Sequence, residues 1–264
     1  MMPFSVAQLG RLRVDIGGLT FRGIHVRAGD GPYFVIQEMT GWDEAPDMRR
    51  DEEDRPLQHG AFDAPGYLTA RVVSITGVIL GDSPAGLQRA VRQLNGLLAD
   101  GGADTLTVQD ALEPLWARVR RAGAPGVRIH GEDPSVADYQ VQFWAPDPRR
   151  YGKAREFTGA QVVPFHYGTM PAIPEVLVTG MFPQGYVVAY GSTAFIVDAP
   201  LATGQTDRID MRTGWLYRNG ALLTGAVAAA EVIHIPPGSA DEPMSLTGTG
   251  GAGSMTVRVV DTFA

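Results

Sequence analysis

The stretch Tyr139-Gln-Val-Gln-Phe-Trp-Ala-Pro-Asp-Pro-Arg-Arg-Tyr151 decides how the chain is divided. Tyr139, Val141 and Phe143 fall on one face of an alternating strand, and Gln140, Gln142 and Trp144 fall on the other. Pro146 and Pro148 then lack backbone donors and fix φ, so strand pairing must stop. Before this point the sequence mixes strand patterns with a helix. Beyond it the chain is Gly-rich and its periodic segments alternate with period two. The segment therefore reads as the last strand of one domain and the exit into another. The expected organisation is an α+β domain over 1–150, a linker over 151–173 and an all-β sandwich over 174–264. A length of 264 residues fits two domains of about 100–150 residues.

Working outward, residues 67–80 predict a long β-branched strand, with Val73, Ile75 and Ile79 on one face. The one helix follows. Ser83 suits an N-cap and Pro84 the first helical position. Leu87, Ala90, Val91, Leu94, Leu97 and Leu98 form a single apolar stripe, and Gly101-Gly102 can end it. Strands are predicted near 11–16, 32–37, 104–109, 115–121, 126–130 and 137–144. Residues 40–66 stand apart. They carry Asp43, Glu44, Asp47, Arg49, Arg50, Asp51, Glu52, Glu53, Asp54 and Arg55 with almost no apolar periodicity. A loop this long inside a compact domain is functional or disordered. Arg49 to Arg55 are the candidate inter-subunit residues, because dense mixed charge can pair across an interface but supplies no core.

The C-terminal part predicts eight or nine short strands, among them 175–179, 186–190, 195–197, 231–235 and 255–260. Asn219-Gly220 between two apolar runs is a hairpin signal, because both residues tolerate positive φ. Short strands with turns between them argue for a sandwich.

Chemistry is sparse. The chain has no cysteine, which excludes disulfides, thiolate zinc sites and cysteine nucleophiles. The net charge of −7 argues against a nucleic-acid-binding domain. Of the basic residues, all but Lys153 are arginine. Gly248-Thr-Gly250-Gly-Ala-Gly253 matches a dinucleotide fingerprint literally, yet a strand pattern follows where a helix is required, so it reads as a hairpin loop. Asp51-Glu-Glu-Asp54 lacks the alternating ligands and central glycine of a calcium loop. His25, His59, His130, His166 and His234 are scattered and show no metal-ligand spacing. Tyr186, Tyr190, Trp215 and Tyr217 read as core or interface aromatics rather than a sugar platform. No catalytic, cofactor or metal residue is expected, and no enzymatic activity. No apolar run is long enough to span a bilayer, and the first residues do not pattern as a signal peptide.

Several segments in order resemble the siphophage distal tail (Dit) family. They are Gln58-His-Gly60, Arg71-Val-Val-Ser-Ile-Thr-Gly-Val-Ile-Leu-Gly81, Leu87-Gln-Arg-Ala-Val-Arg-Gln-Leu94, Leu106-Thr-Val108 and the domain exit with Asp147, Pro148 and Tyr151. Pro174-Glu-Val-Leu-Val-Thr-Gly180, Arg208-Ile-Asp210 and Arg218-Asn-Gly220 continue the likeness. The resemblance implies a structural virion protein at the tip of a long non-contractile tail, assembled in the bacterial cytoplasm. It implies a homohexameric ring made by the N-terminal domain and a galectin-like sandwich. The ring would join the tail tube protein to tail-tip or baseplate proteins. DNA would pass through it without specific binding, and no membrane insertion is implied. Sugar binding is not carried over: Trp215 is followed at the third position by Arg218, and no H-x-N-P-R element exists. A receptor- or carbohydrate-binding module of the tail tip is the alternative, and a two-domain enzyme the third reading.

Overall fold

The computed structural model describes residues 12–23, 32–238, 241–248 and 250–264. His25, Thr249 and the residues up to Arg11, which the reading above touches, lie outside them. The described chain is mostly β with one helix, and it divides into two compact units. One runs to Arg150 and includes Ala264; the other is Tyr151–Phe263.

The first unit holds β1 (Arg13–Ile16), β2 (Leu19–Arg22), β3 (Tyr33–Thr40), β4 (Met48–Arg49), β5 (Tyr67–Leu68), β6 (Arg71–Leu80), α1 (Pro84–Gly96), β7 (Asp104–Gln109), β8 (Leu115–Arg121), β9 (Gly126–Ile129) and β10 (Val136–Ala145). The strands run β8-β7-β1-β2-β3-β6-β10, and a short β8–β10 pairing closes them on themselves. Strand β9 pairs with β10 as well. Alternation decides what faces inward. Val73, Ile75 and Ile79 of β6 meet Phe143, Val141 and Ala137 of β10, and all are buried. Helix α1 lays Leu87, Ala90 and Leu94 onto this core, starting from Ser83, whose hydroxyl accepts the Gly86 N–H at 3.0 Å. The helix ends earlier than the glycine pair suggested. Leu98 takes the left-handed conformation (φ 49°), and Arg121 of β8 reaches the Asn95 and Leu97 carbonyls at 2.8 and 3.3 Å. A cation on the terminal carbonyls satisfies orphan acceptors and complements the helix dipole.

One core contact is imperfect. Tyr139 packs against Phe21 and Phe34, with ring centroids 5.7 and 6.0 Å away, but its buried hydroxyl has no hydrogen-bond partner among the described residues. Burial pushes this phenol's pKa well up. Tyr139→Phe removes an unsatisfied polar atom and should leave stability unchanged or raise it by about 1 kcal/mol. A loss above that in denaturant unfolding would mean that the hydroxyl has a partner in solution.

The second unit holds β11 (Arg150–Gly159), β12 (Gln161–Val162), β13 (Glu175–Met181), β14 (Tyr186–Tyr190), β15 (Thr193–Val197), β16 (Thr206–Asp210), β17 (Trp215–Arg218), β18 (Ala221–Leu222), β19 (Val227–Ala230), β20 (Met244–Gly248) and β21 (Ala252–Phe263). Two sheets, β18-β17-β16-β13-β21-β11 and β12-β20-β14-β15-β19, enclose one core. Val176 and Val178, Val188, Phe195, Met255, Val257 and Val259 all point into it. Asn219 and Gly220 close the β17–β18 hairpin with φ of 49° and 85°, both left-handed as that turn requires. The glycine-rich run lies between β20 and β21, and its end residues have a packing role. A Cβ at Gly248 or Gly253 would overlap the Phe182 ring.

Two expectations fail here. Residues 151–173 are not a linker: β11 and β12 belong to the sheets, and Val162 and Ala172 are in the core. Along β11 only Tyr151 is buried and the other positions are half-exposed or exposed, so the strand pairs without an apolar alternation. Residues 231–235 are not a strand either. Ile233 and Ile235 do alternate inward, but only Ile235 pairs, as a single bridge to Ala172. The neighbouring segment β19 takes the edge beside β15.

Candidate functional site

Residues 41–69 form a hairpin arm, not a structureless loop. Its base is the two-stranded β4–β5 sheet, with Met48 opposite Leu68 and Arg49 opposite Tyr67. Further out Asp54 and Ala61 form a bridge, reinforced by Arg55 N–H to Gly60 O (3.0 Å) and Phe62 N–H to Glu53 O (2.9 Å). The tip therefore lies at Pro56–His59, overlapping the Gln58-His-Gly60 motif. Backbone pairing holds the arm while its side chains remain outside any core. Met48, Leu57, Phe62 and Tyr67 are all exposed, Leu57 at 97%. Exposed apolar side chains gathered on one projection mark an interaction site. Arg55 lies 5.7 Å from the Phe62 ring centre. A notch of about 340 Å³ at the tip is lined by Arg55, Pro56, Leu57, Gln58 and Phe62. Arg49, Arg50, Asp51, Glu52, Glu53, Asp54 and Arg55 are all exposed on this arm. The carboxylates of Asp51, Glu52, Glu53 and Asp54 form no ion pair among the described residues.

The root of the arm is fixed by Arg71, which is only 2% exposed. Its Nη1 donates to the carbonyls of Gly41 (2.7 Å), Trp42 (2.7 Å) and Glu44 (2.8 Å), and its Nε donates to Pro148 O (2.9 Å). Its Nη2 is buried and makes no hydrogen bond among the described residues. Burial, aided by the charge of Arg150, pushes the guanidinium pKa down to about 10, so it stays charged at neutral pH. Beside it, Trp42 is buried with Arg150 5.8 Å from its ring centre, and Arg150 Nη1 meets Asp43 at 3.3 Å. Burial raises the Asp43 carboxyl despite Arg150. Sequence reasoning quoted Arg71 only as the start of a motif. A signal was present: Arg71 has the same parity as Val73, Ile75 and Ile79, so it points inward.

The exit motif separates into three roles. Asp147 accepts Arg149 through Nε (2.7 Å) and Nη2 (3.0 Å). Pro148 supplies the carbonyl that Arg71 holds. Tyr151, in the second unit, is buried, accepts Arg212 Nη2 at 2.7 Å and lies under that guanidinium at 5.1 Å.

The remaining candidates disperse. His59 is at the arm tip, His130 pairs with Asp138 at 3.0 Å and His234 is exposed. His166 is buried, with Nδ1 accepting the Gly168 N–H at 3.0 Å and Nε2 facing Ile235 O at 3.2 Å. Tyr186 is core. Trp215 is exposed, but Arg208 lies over the Tyr217 ring at 4.2 Å, so the pair offers no open platform. Among the described residues no group of His, Asp and Glu could hold a metal ion, and no helix is long and apolar enough to cross a membrane.

The fold, two β units with a single helix, is similar to that of a phage distal tail protein. The solved structure that carries this is the SPP1 Dit (gp 19.1) protein, described as a paradigm of the hub adsorption apparatus in phages infecting Gram-positive hosts. It aligns with a TM-score of 0.73 at 16% identity, over 96% of this chain and 99% of its own. Two structures of the phage P2 baseplate in its activated conformation, with Ca and with Sr, align at TM-scores of 0.49 and 0.47 and identities of 7% and 8%. They cover 95% and 94% of this chain and 97% of their own, and are too distant to enter the argument. No protein-family model matches the chain, and no curated protein matches it in sequence.

Proposed function

We propose that the protein is a structural hub of a phage tail tip. Its first unit self-associates into a ring of six copies at the end of a long non-contractile tail, and the ring joins the tail tube to tail-tip or baseplate proteins. The second unit, read as the galectin-like sandwich, projects from the ring, and the chain has no catalytic role. The observation that supports this reading is the end-to-end fold likeness to the SPP1 Dit hub, which spans both units of this chain in order. The arm agrees with it. A projection that exposes Met48, Leu57, Phe62 and Tyr67 needs a partner, and a protein that repeats around an axis supplies one in the next copy. The direct test is cryo-electron microscopy of virions containing this chain, which should place a six-fold ring at the distal end of the tail tube. A chain absent from virions, or present there as a monomer, would refute the proposal.

The arm provides a solution test. Replacing residues 50–65 by a short Gly-Ser turn leaves the Met48/Leu68 pair and the Arg71 clamp in place. Unfolding free energy should change by less than about 0.5 kcal/mol, since no core residue is removed. Self-association, read from mass by light scattering, should weaken by about thirtyfold or more, the loss of at least one interface anchor. Unaltered mass would show that the arm serves something else.

A further inference from the structure

We infer that a cationic and aromatic stripe across β8, β10 and β6 is the seat for the arm of a second copy of this chain. The inference rests on the self-association proposed above and adds the surface that receives the arm.

The stripe is defined by register. Arg120 of β8 lies opposite Trp144 of β10, and Trp144 lies opposite Val72 of β6. Arg118 is two residues along β8, on the same outward face. Directly opposed residues have Cβ atoms about 5 Å apart, so these four side chains make one patch. Trp144 is 39% exposed and Val72 46%, both on the outward face of their strands. Arg118 donates to Ala103 O at 3.2 Å and Arg120 to Gly101 O. Both partners are neutral carbonyls. Among the described residues neither guanidinium meets a carboxylate.

The arm is the complement of this stripe in two respects. It carries four consecutive carboxylates, Asp51 to Asp54, with no ion pair among the described residues. Beside them the tip holds Leu57, Phe62 and the notch of about 340 Å³, wide enough for an indole. Trp144 entering that notch, with the acidic run against Arg118 and Arg120, would satisfy the apolar and the ionic groups together. Aromatic and arginine side chains are the usual energetic anchors of interfaces. Opposed charge sets their orientation and speeds encounter. Each limb from Arg49 to the tip has up to nine residues, a reach of about 30 Å at the rise of an extended strand. That is ample to cross to an adjacent copy. The arm does not fold back on its own stripe, because Trp144 and Val72 stay exposed while Arg71, next to Val72, holds the arm's root. Arm and seat are different surfaces, so the contact is heterologous and repeats from copy to copy, as a closed ring requires.

The absence of cysteine makes the test clean. A chain carrying both Leu57→Cys and Trp144→Cys, oxidised at a concentration where the parent self-associates, should give a ladder of disulfide-linked multimers. Each single variant should stop at the dimer. Independently, Glu52→Arg with Glu53→Arg should raise the dissociation constant of self-association by about tenfold or more. Arg118→Glu with Arg120→Glu should do the same, and combining both reversals in one chain should restore much of the loss. The arginine variants also untie the 101–103 turn. If their folding is impaired, the exposed arm-side variant decides alone. Self-association that ignores the arm-side reversal, or that gives no 57–144 disulfide, overturns the seat and leaves the ring proposal standing. A chain that remains monomeric at every concentration overturns the seat as well, while the ring proposal is then decided in virions.

Discussion

Arg71→Ala should destabilise the first unit by about 3–5 kcal/mol, among the largest effects available from one substitution. The side chain makes four charge-assisted hydrogen bonds to carbonyls from two distant segments, 41–44 and 148. Removing it leaves buried acceptors without donors, each worth about 1–3 kcal/mol when orphaned, with water repairing some of them. In a unit of this size that corresponds to a fall in melting temperature of about 10 °C. The unit containing residues 151–263 should unfold as before. Arg71→Lys should not rescue more than part of the loss. A lysine ammonium is a point donor without the planar fork that meets Pro148 on one edge and the 41–44 corner on another. Because the same carbonyls root the arm, self-association should fall by more than stability alone accounts for. A cost below about 1 kcal/mol in denaturant unfolding would show that the 41–44 corner holds without Arg71.

Arg71 also illustrates what the sequence made legible. The helix could be read in advance because Ser83, Pro84 and the Leu87-Ala90-Leu94 stripe agree on one answer. Strands β7, β8 and β10 could be read because their alternation is strict. The arm could not. Its rungs, Met48 to Leu68 and Asp54 to Ala61, are backbone pairings between polar segments, and backbone pairing leaves no side-chain period behind. Strand β11 was missed for a related reason. Along it the outward and inward positions are mostly half-exposed, so Arg150 to Gly159 shows no apolar alternation. Of the site, the charged run at 49–55 and the exit motif were visible as composition and as proline placement. What they do was not, because it depends on Arg71 arriving from another strand. The general signal is an ionisable residue with inward parity in an apolar strand. It marks Arg71 in β6, and it marks Asp207 in β16, where Ile209 shares its face.

Asp207→Ala is the second substitution with a large expected effect. The carboxylate is fully buried and receives Arg218 Nε at 2.8 Å and Nη2 at 2.9 Å, with the Tyr186 hydroxyl donating at 2.9 Å. Asp207 and Arg218 are directly opposed in the β16–β17 ladder, so the pair is fixed by register. Truncation would strand a largely buried guanidinium, and about 3–5 kcal/mol should be lost from the second unit. Asp207→Ala combined with Arg218→Met should recover part of that, since the stranded charge, not the missing contact, is the main cost. The pH dependence adds a separate readout. Burial, then the charge of Asp207 and its hydrogen bond, raise the Tyr186 pKa. A folded-state pKa above the unfolded value of about 10 stabilises the fold below that pH and is lost as pH rises through it. The parent chain should therefore lose stability above about pH 10. In Asp207→Ala, two of the three causes that raise Tyr186 are gone, so the alkaline loss from the second unit should be shallower although its stability at neutral pH is lower. An alkaline limb of unchanged steepness would place the cause in burial alone and remove Asp207 from the account of Tyr186.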